Sequence, residues 1–301
     1  MTTVDGVNEA QTDEDPATTS ATSSATRSGP RAEVAVIGGS GFYSLLSDAV
    51  SVTVQTPYGP PSDEITVGTL AGRQVAFLAR HGADHRFPPH RVPYRANLWA
   101  LRSLGARQVL AASAVGSLKA EYGPGTLVLP DQILDRTSGR AHTFNDAGDG
   151  PDRGVSHVSF SDPYSHSGRA AVVRAAASSA TELVSRATLV VINGPRFSTR
   201  AESLDYQRSG GHIIGMTGMP EAALARELAL DYTALCLVTD HDAGVEVGEG
   251  VTHAAVLEQF AANLPRLREL LVAALAELPA VSGDELFAEL YGSTPPPFEL
   301  P

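Results

Sequence analysis

The stretch that most constrains this chain is Leu235-Cys236-Leu237-Val238-Thr239-Asp240-His241-Asp242-Ala243-Gly244, an apolar run that ends in two carboxylates one residue apart. A short apolar run bounded by polar residues reads as a buried strand. Polar groups just beyond the C-terminal end of such a strand sit where open α/β sheets bind ligands. If strand geometry persists, Asp240 and Asp242 share a face, because side chains alternate. Two carboxylates on one crevice wall repel, so one of them is expected to hold a proton near neutral pH. A protonated Asp donates to a ring nitrogen and an ionised one accepts from an amino group, which suits the N7 and 6-amino edge of adenine. The same residues are also compatible with a plain strand end followed by an Asx-turn.

The remaining apolar runs place this strand in an α/β context. Val34 to Ile37, Ile65 to Leu70, Gln74 to Ala79, Gln108 to Ala112 and Thr188 to Ile192 are predicted strands, and His212 to Gly215 is a short one. Ala71-Gly72-Arg73 joins two of them as a hairpin. Helices are predicted over Tyr94–Leu104 with Gly105 as its stop, over Ala-rich Ser167–Arg186, from Pro220 to about Leu230, and over Thr252–Leu278 with a possible break at Pro265. Strands and helices in this order read as an α/β fold class.

Residues 1–32 are rich in Thr, Ser, Ala and acidic side chains and bury too little to order, so they are expected to form a disordered extension. The folded domain is expected over 33–280. The Pro-rich tail, 281–301, is read as flexible or as a strap over a neighbouring subunit. The segment from Asp135 to Pro163, polar and Gly-rich, is a candidate lid.

Strand ends carry the chemistry. Gly38-Gly39-Ser40-Gly41 follows the first strand and suits close approach to a phosphate. A dinucleotide fingerprint would need Gly at position 44, where the chain has Ser44. Arg80, at the end of another strand, is a good anion ligand because its fork matches phosphate oxygens. Ser113-Ala114-Val115-Gly116-Ser117 is a second small-residue loop, and Thr217 adds a hydroxyl near a helix start. These pieces suggest one shared anion pocket. Phe197 and Ser198, after Asn193-Gly194-Pro195-Arg196, can stack on and hydrogen-bond a flat base. His81 and His85 have zinc-pair spacing, but the Glu is missing and Pro88-Pro89 follow at once, so no metal is expected.

Composition removes other classes. With 22 basic and 34 acidic residues the net charge is −12, which argues against nucleic acid as a partner. Cys236, the sole cysteine, reads as a buried structural thiol. No run reaches transmembrane length and the N-terminus does not read as a signal peptide, so the expected setting is the cytoplasm, away from membranes.

The order of these motifs resembles the methylthioadenosine phosphorylase branch of the trimeric purine nucleoside phosphorylase family. The matching blocks are Ile37 to Phe42, Leu78 to His81, Ala114 to Leu118, Asp131 to Thr137, Gly194 to Ser203 and Met216 to Asp242. The resemblance implies a nucleoside phosphorylase fold, a single domain with a central mixed sheet flanked by helices, a homotrimer, and neither metal nor cofactor, with inorganic phosphate as co-substrate. It implies phosphorolysis of 5′-deoxy-5′-methylthioadenosine to adenine and 5-methylthioribose 1-phosphate. It puts phosphate on Ser40, Arg80, His81, Ser113, Ala114 and Thr217, and purine and ribose on Phe197, Ser198, Met216, Asp240 and Asp242. Asp240 becomes the catalytic acid, and His157, with His85 close by, falls near the 5′ end. Thr199 and Asp240 stand where the 6-oxopurine branch carries Glu and Asn, which favours a 6-aminopurine. The chain departs from its branch at Asn193, Gly218 and Ala243-Gly244. A phosphorylase for another 5′-modified adenosine, such as a 5′-halo compound, or a broad purine nucleoside phosphorylase is the alternative. A hydrolytic nucleosidase and a non-catalytic nucleoside-binding protein fit less well, because both leave the anion pocket unused.

Overall fold

The structure, a computed structural model, describes residues 29–39, 46–145, 156–245, 253–281, 285–293, 296–298 and 300–301. Ten strands form one mixed sheet. They are β1 (Val34–Gly38), β2 (Ser47–Val52), β3 (Ile65–Leu70), β4 (Arg73–Ala79), β5 (Gln108–Ser117), β6 (Leu127–Val128), β7 (Gln132–Arg136), β8 (Thr188–Ile192), β9 (Ile213–Gly215) and β10 (Asp231–His241). Neighbours run β2-β3-β4-β1-β5-β9-β8-β7, with β10 on β5 and β6 on β10. The helices are α1 (Tyr94–Ser103), α2 (His166–Ser178), α3 (Arg200–Arg208), α4 (Gly218–Glu227), α5 (His253–Glu277) and α6 (Glu285–Tyr291).

Strand alternation divides the core between the two faces of the sheet. Val34, Val36, Leu235 and Leu237 pack with Ala171, Val172, Leu267 and Leu271 of α2 and α5. Ala35, Ile37, Cys236 and Val238 pack with Leu98, Leu101, Ala222 and Ala225 of α1 and α4. Each fully buried Val, Leu or Ile contributes roughly 1.5–3 kcal/mol, so both helical layers are needed to cover these two-sided strands.

β5 organises the sheet. Along one edge it pairs in parallel with β10 from Gln108 to Ser117. Along the other it pairs with β1 only as far as Ala111, and with β9 only from Gly116 onward. The sheet therefore splits over Ala112–Val115, and that split is the crevice. The small-residue segment Ser113–Ser117, expected as a loop, is strand on its β10 side and open on the other.

Several local expectations change. α2 stops at Ser178, well short of Arg186, where Ser179 and Ala180 (φ 51°) turn the chain. α5 runs through Pro265 without ending. In α4, Met219 is extended (φ −120°, ψ 137°), so the regular turn starts at Pro220 as predicted. β2 went unpredicted because it is an exposed edge strand with few large apolar residues. α3 was also missed, though its signal was present: Thr199 caps it in a reciprocal box with Glu202. Described parts of the tail contact their own chain. The Tyr291 hydroxyl donates to the Glu227 carbonyl at 2.7 Å, and Phe298 is buried against Phe144 and Tyr291.

The contact between α2 and β10 allows a test. A Cβ on Gly168 would lie 2.1 Å from the Thr233 hydroxyl. Helix propensity favours Ala by up to about 1 kcal/mol, but overpacking costs about 1–3 kcal/mol. Gly168→Ala is expected to lower the thermal midpoint by a few degrees, and adding Thr233→Ala should restore it. A midpoint raised by Gly168→Ala alone would contradict the packing.

Candidate active site

A cavity of about 450 Å³ opens at the split in the sheet. Most of its polar lining comes from strands and their ends. Gly39 follows β1, Arg80 follows β4, Ser113 and Ala114 lie on the open edge of β5, Met216 and Thr217 follow β9, and Asp240 and Asp242 close β10.

Arg80 is fixed before any ligand arrives. Its Nε and Nη2 donate to both Glu221 oxygens at 2.7 and 2.8 Å, and Nη1 donates to the exposed carbonyl of Ala112 at 2.8 Å. Tyr232 donates its hydroxyl to Glu221 at 2.8 Å. Both members of the pair are almost fully buried, with 3% and 2% of each side chain exposed. Burial disfavours the guanidinium charge, and Glu221 more than offsets this and holds Arg80 protonated. The Thr217 hydroxyl lies 3.5 Å from that of Ser113. Arg80, Ser113, Ala114, Thr217 and His81 therefore share one end of the cavity. Ser40, expected beside them, lies outside the described residues, but Gly39 before it lines the cavity.

His81 and His85 do not form a helical metal pair. Gly82 (φ 80°) and His85 (φ 58°) turn the chain, and the two rings stack with centroids 4.6 Å apart. Burial, followed by the nearby Arg80 and His85, lowers the His81 pKa to about 4, although its contact with Phe87 opposes this. His81 Nδ1 lies 2.8 Å from the Phe87 carbonyl. The neutral ring therefore donates from Nδ1 and keeps Nε2 as an acceptor.

At the opposite wall a bulge shifts the β5–β10 register between Val238 and Asp240. Both carboxylates still converge on Gly116. A Cβ there would lie 3.1 Å from Asp240 Oδ2 and 3.7 Å from the Asp242 Cβ, so glycine makes the room they occupy. Burial raises the pKa of Asp240. The Thr239 hydroxyl, donated at 2.7 Å, opposes this, and Asp242 adds a smaller upward push. Burial also raises Asp242, against the hydroxyl of Ser203 on α3. Desolvation rather than mutual repulsion is thus the main reason both values rise. Asp242 is 4% exposed; the Ser198 hydroxyl and the Ala243 N–H also favour its charged form, and its Oδ2 has no hydrogen-bond partner among the described residues. A buried acceptor left unpaired costs about 1–3 kcal/mol, so this wall is built to receive a donor. Phe197 and Met216 complete it.

His157 is exposed and does not line the cavity of its own chain. His85 does, and Pro88, Val256, Leu257 and Phe260 add an apolar part to the lining. The α5 residues carried no sequence signal, because a long amphipathic helix gives no sign that its first turns face a cavity. No group of three or more His, Cys, Asp or Glu suited to a metal occurs among the described residues, and no described helix is long and apolar enough to cross a membrane.

Residues 33–276 match the sequence profile of the Phosphorylase superfamily. The chain belongs to that family. It is 60% identical over 253 residues to a purine nucleoside phosphorylase of Streptomyces coelicolor, covering 83% of this chain and 90% of the relative. It is 52% identical over 267 residues to an S-methyl-5′-thioadenosine phosphorylase of Mycolicibacterium smegmatis, covering 88% and 98%. Among solved structures it resembles a Schistosoma mansoni adenosine/methylthioadenosine phosphorylase mutant in complex with methylthioadenosine. That match has TM-score 0.78 and 35% identity, and covers 86% of this chain and 96% of the other.

The depressed His81 pKa has a consequence for this phosphorylase. The unfolded chain binds a proton at His81 below about pH 6.5, whereas the folded chain refuses it until about pH 4. The stabilisation is full above the unfolded value and is lost as the pH falls through that window. Asp240 and Asp242, raised in the fold, act in the opposite direction. Urea titrations at pH 7.5 and 4.5 should show wild type losing on the order of 2 kcal/mol more than His81→Gln. Equal losses would contradict a buried neutral His81.

Proposed function

We propose that the protein catalyses phosphorolysis of 5′-deoxy-5′-methylthioadenosine, giving adenine and 5-methylthioribose 1-phosphate. The observation that carries the reading is the wall of Asp240 and Asp242, two largely buried carboxylates with raised pKa values, with Asp242 Oδ2 left without a hydrogen-bond partner among the described residues. Asp242 Oδ2 accepts from the 6-amino group and protonated Asp240 donates to N7. A 6-oxopurine would set an acceptor against Asp242 and leave it unpaired.

Phosphate sits at the Arg80 end, held by Arg80, Ser113, Thr217, the Ala114 N–H and Ser40. Glu221 neutralises much of the Arg80 charge and His81 is neutral, so directed donors rather than net charge hold the anion there. A phosphate oxygen attacks C1′ as the C1′–N9 bond breaks. The electron pair of that bond passes into the purine, and the Asp240 proton meets it at N7. Phe197 stacks on the base and Met216 lies under the sugar. The apolar part of the lining at Val256, Leu257 and Phe260 takes the methylthio group, with His85 also in the lining. The reaction calls on no metal or cofactor, and phosphate and nucleoside are its small-molecule partners, in the cytoplasm.

A homotrimer belongs to the same reading. His157, exposed on its own chain, would reach a 5′ end from a neighbouring subunit. The 60% identity to a relative named for purine nucleosides in general supports broad purine specificity as the second reading.

General-acid assistance contributes about 10²–10⁴-fold, and it acts at the transition state. Asp240→Ala should therefore lower kcat on methylthioadenosine by at least ~10²-fold with a much smaller rise in KM. Wild type assayed beside it should prefer methylthioadenosine over adenosine and leave inosine nearly untouched. A normal kcat in the variant would remove Asp240 from the chemistry, and efficient inosine cleavage would favour the broad reading.

A further inference from the structure

The turn at 137–140 lies inside the segment expected to act as a lid, yet it is pinned to the body of the protein. Arg140 does not line the cavity. Its Nη1 donates to the Met216 carbonyl at 2.9 Å and also to that of Met219. Its Nη2 donates to the Asn193 carbonyl at 2.9 Å and to that of Ile192 at 3.4 Å. The Tyr94 ring lies 5.7 Å from the guanidinium carbon. The same turn is tied again through Ser138, whose N–H donates to Asn193 Oδ1 at 3.2 Å while Asn193 Nδ2 donates to the Ser138 carbonyl at 3.1 Å.

The two segments held by this fork have different tasks in the phosphorolysis reading, on which the inference rests. Ile192 and Asn193 lead into Gly194, Pro195 and Phe197, the base wall. Met216 and Met219 flank Thr217, a phosphate ligand, and Met216 is the sugar floor. The base loop and the floor already touch: a Cβ on Gly194 would lie 2.4 Å from the Met216 sulfur. We propose that Arg140 is a positioning residue that sets the distance between the base half and the phosphate half of the site.

Attack requires phosphate oxygen and C1′ to be held about 3–3.5 Å apart, and a misplacement of about 1 Å costs ~10²-fold. A planar fork can donate to both segments at once, whereas a Lys ammonium is a point charge on a flexible stem and holds no fixed spacing. Asn193 completes the tie from the base side. A carboxylate there has no N–H to return to the Ser138 carbonyl, so in this chain the side-chain amide makes the tie reciprocal.

The test is steady-state kinetics on Arg140→Lys, Arg140→Ala and Asn193→Ala, with the fraction of competent sites counted by adenine titration and folding followed by thermal melts. Per competent site, Arg140→Lys should lose ~10²-fold in kcat, while KM for nucleoside and for phosphate moves less than about threefold. Millimolar guanidinium should restore part of the Arg140→Ala rate. Asn193→Ala should show the same split at smaller size, and it carries the test if neither Arg140 variant folds. A kcat per site within about threefold of wild type, with only the melting point lowered, would reduce Arg140 to a structural role. Wild type that failed to cleave methylthioadenosine would instead overturn the functional reading, so the two failures are distinguishable.

Discussion

The open edge of β5 between Ala112 and Val115 is the constraint on which the rest of the molecule depends. A strand inside a sheet normally satisfies its backbone on both sides. Here β1 ends too early and β9 begins too late to do so. The exposed carbonyl of Ala112 is taken by Arg80, which is buried for that reason and needs a buried counter-ion, supplied by Glu221 from α4. Glu221 in turn takes the Tyr232 hydroxyl from β10. One gap in a ladder thus ties four elements together at the Arg80 end of the cavity. Breaking such a buried pair costs about 3–5 kcal/mol, so the arrangement is stable only as a whole.

The same logic acts at the other wall. Gly116 on β5 leaves space for the two acidic residues at the end of β10, and their burial raises both pKa values, the direction the proposed chemistry requires. Ser203, on a helix capped by Thr199 and Glu202, comes up under Asp242. The site therefore consists of strand ends whose spacing is fixed by residues that never meet a ligand: Glu221 behind Arg80, Ser203 beneath Asp242, and Arg140 behind Asn193 and Met216.

Much of this was legible in the sequence because strands buried on both faces are nearly continuous apolar runs, and their polar ends announce the crevice. Arg80, Ser113, Thr217, Phe197, Asp240 and Asp242 were found in this way, and the cavity gathers them. Edge strand β2 was not found, because exposure removes the apolar signal. Glu221 and Arg140 were not found either, since a carboxylate after Pro220 and an arginine in a polar segment look solvated until the partners that bury them are known. His157 was singled out by resemblance and lies away from its own chain's cavity.

The central claim is that one cavity brings phosphate and a 6-aminopurine nucleoside face to face. Phosphorus NMR of the enzyme with methylthioadenosine and inorganic phosphate tests it most directly. The account predicts that a sugar 1-phosphate resonance grows in step with released adenine, and that no adenine is released when phosphate is left out. Adenine released at the same rate without phosphate, with free methylthioribose as the product, would contradict it.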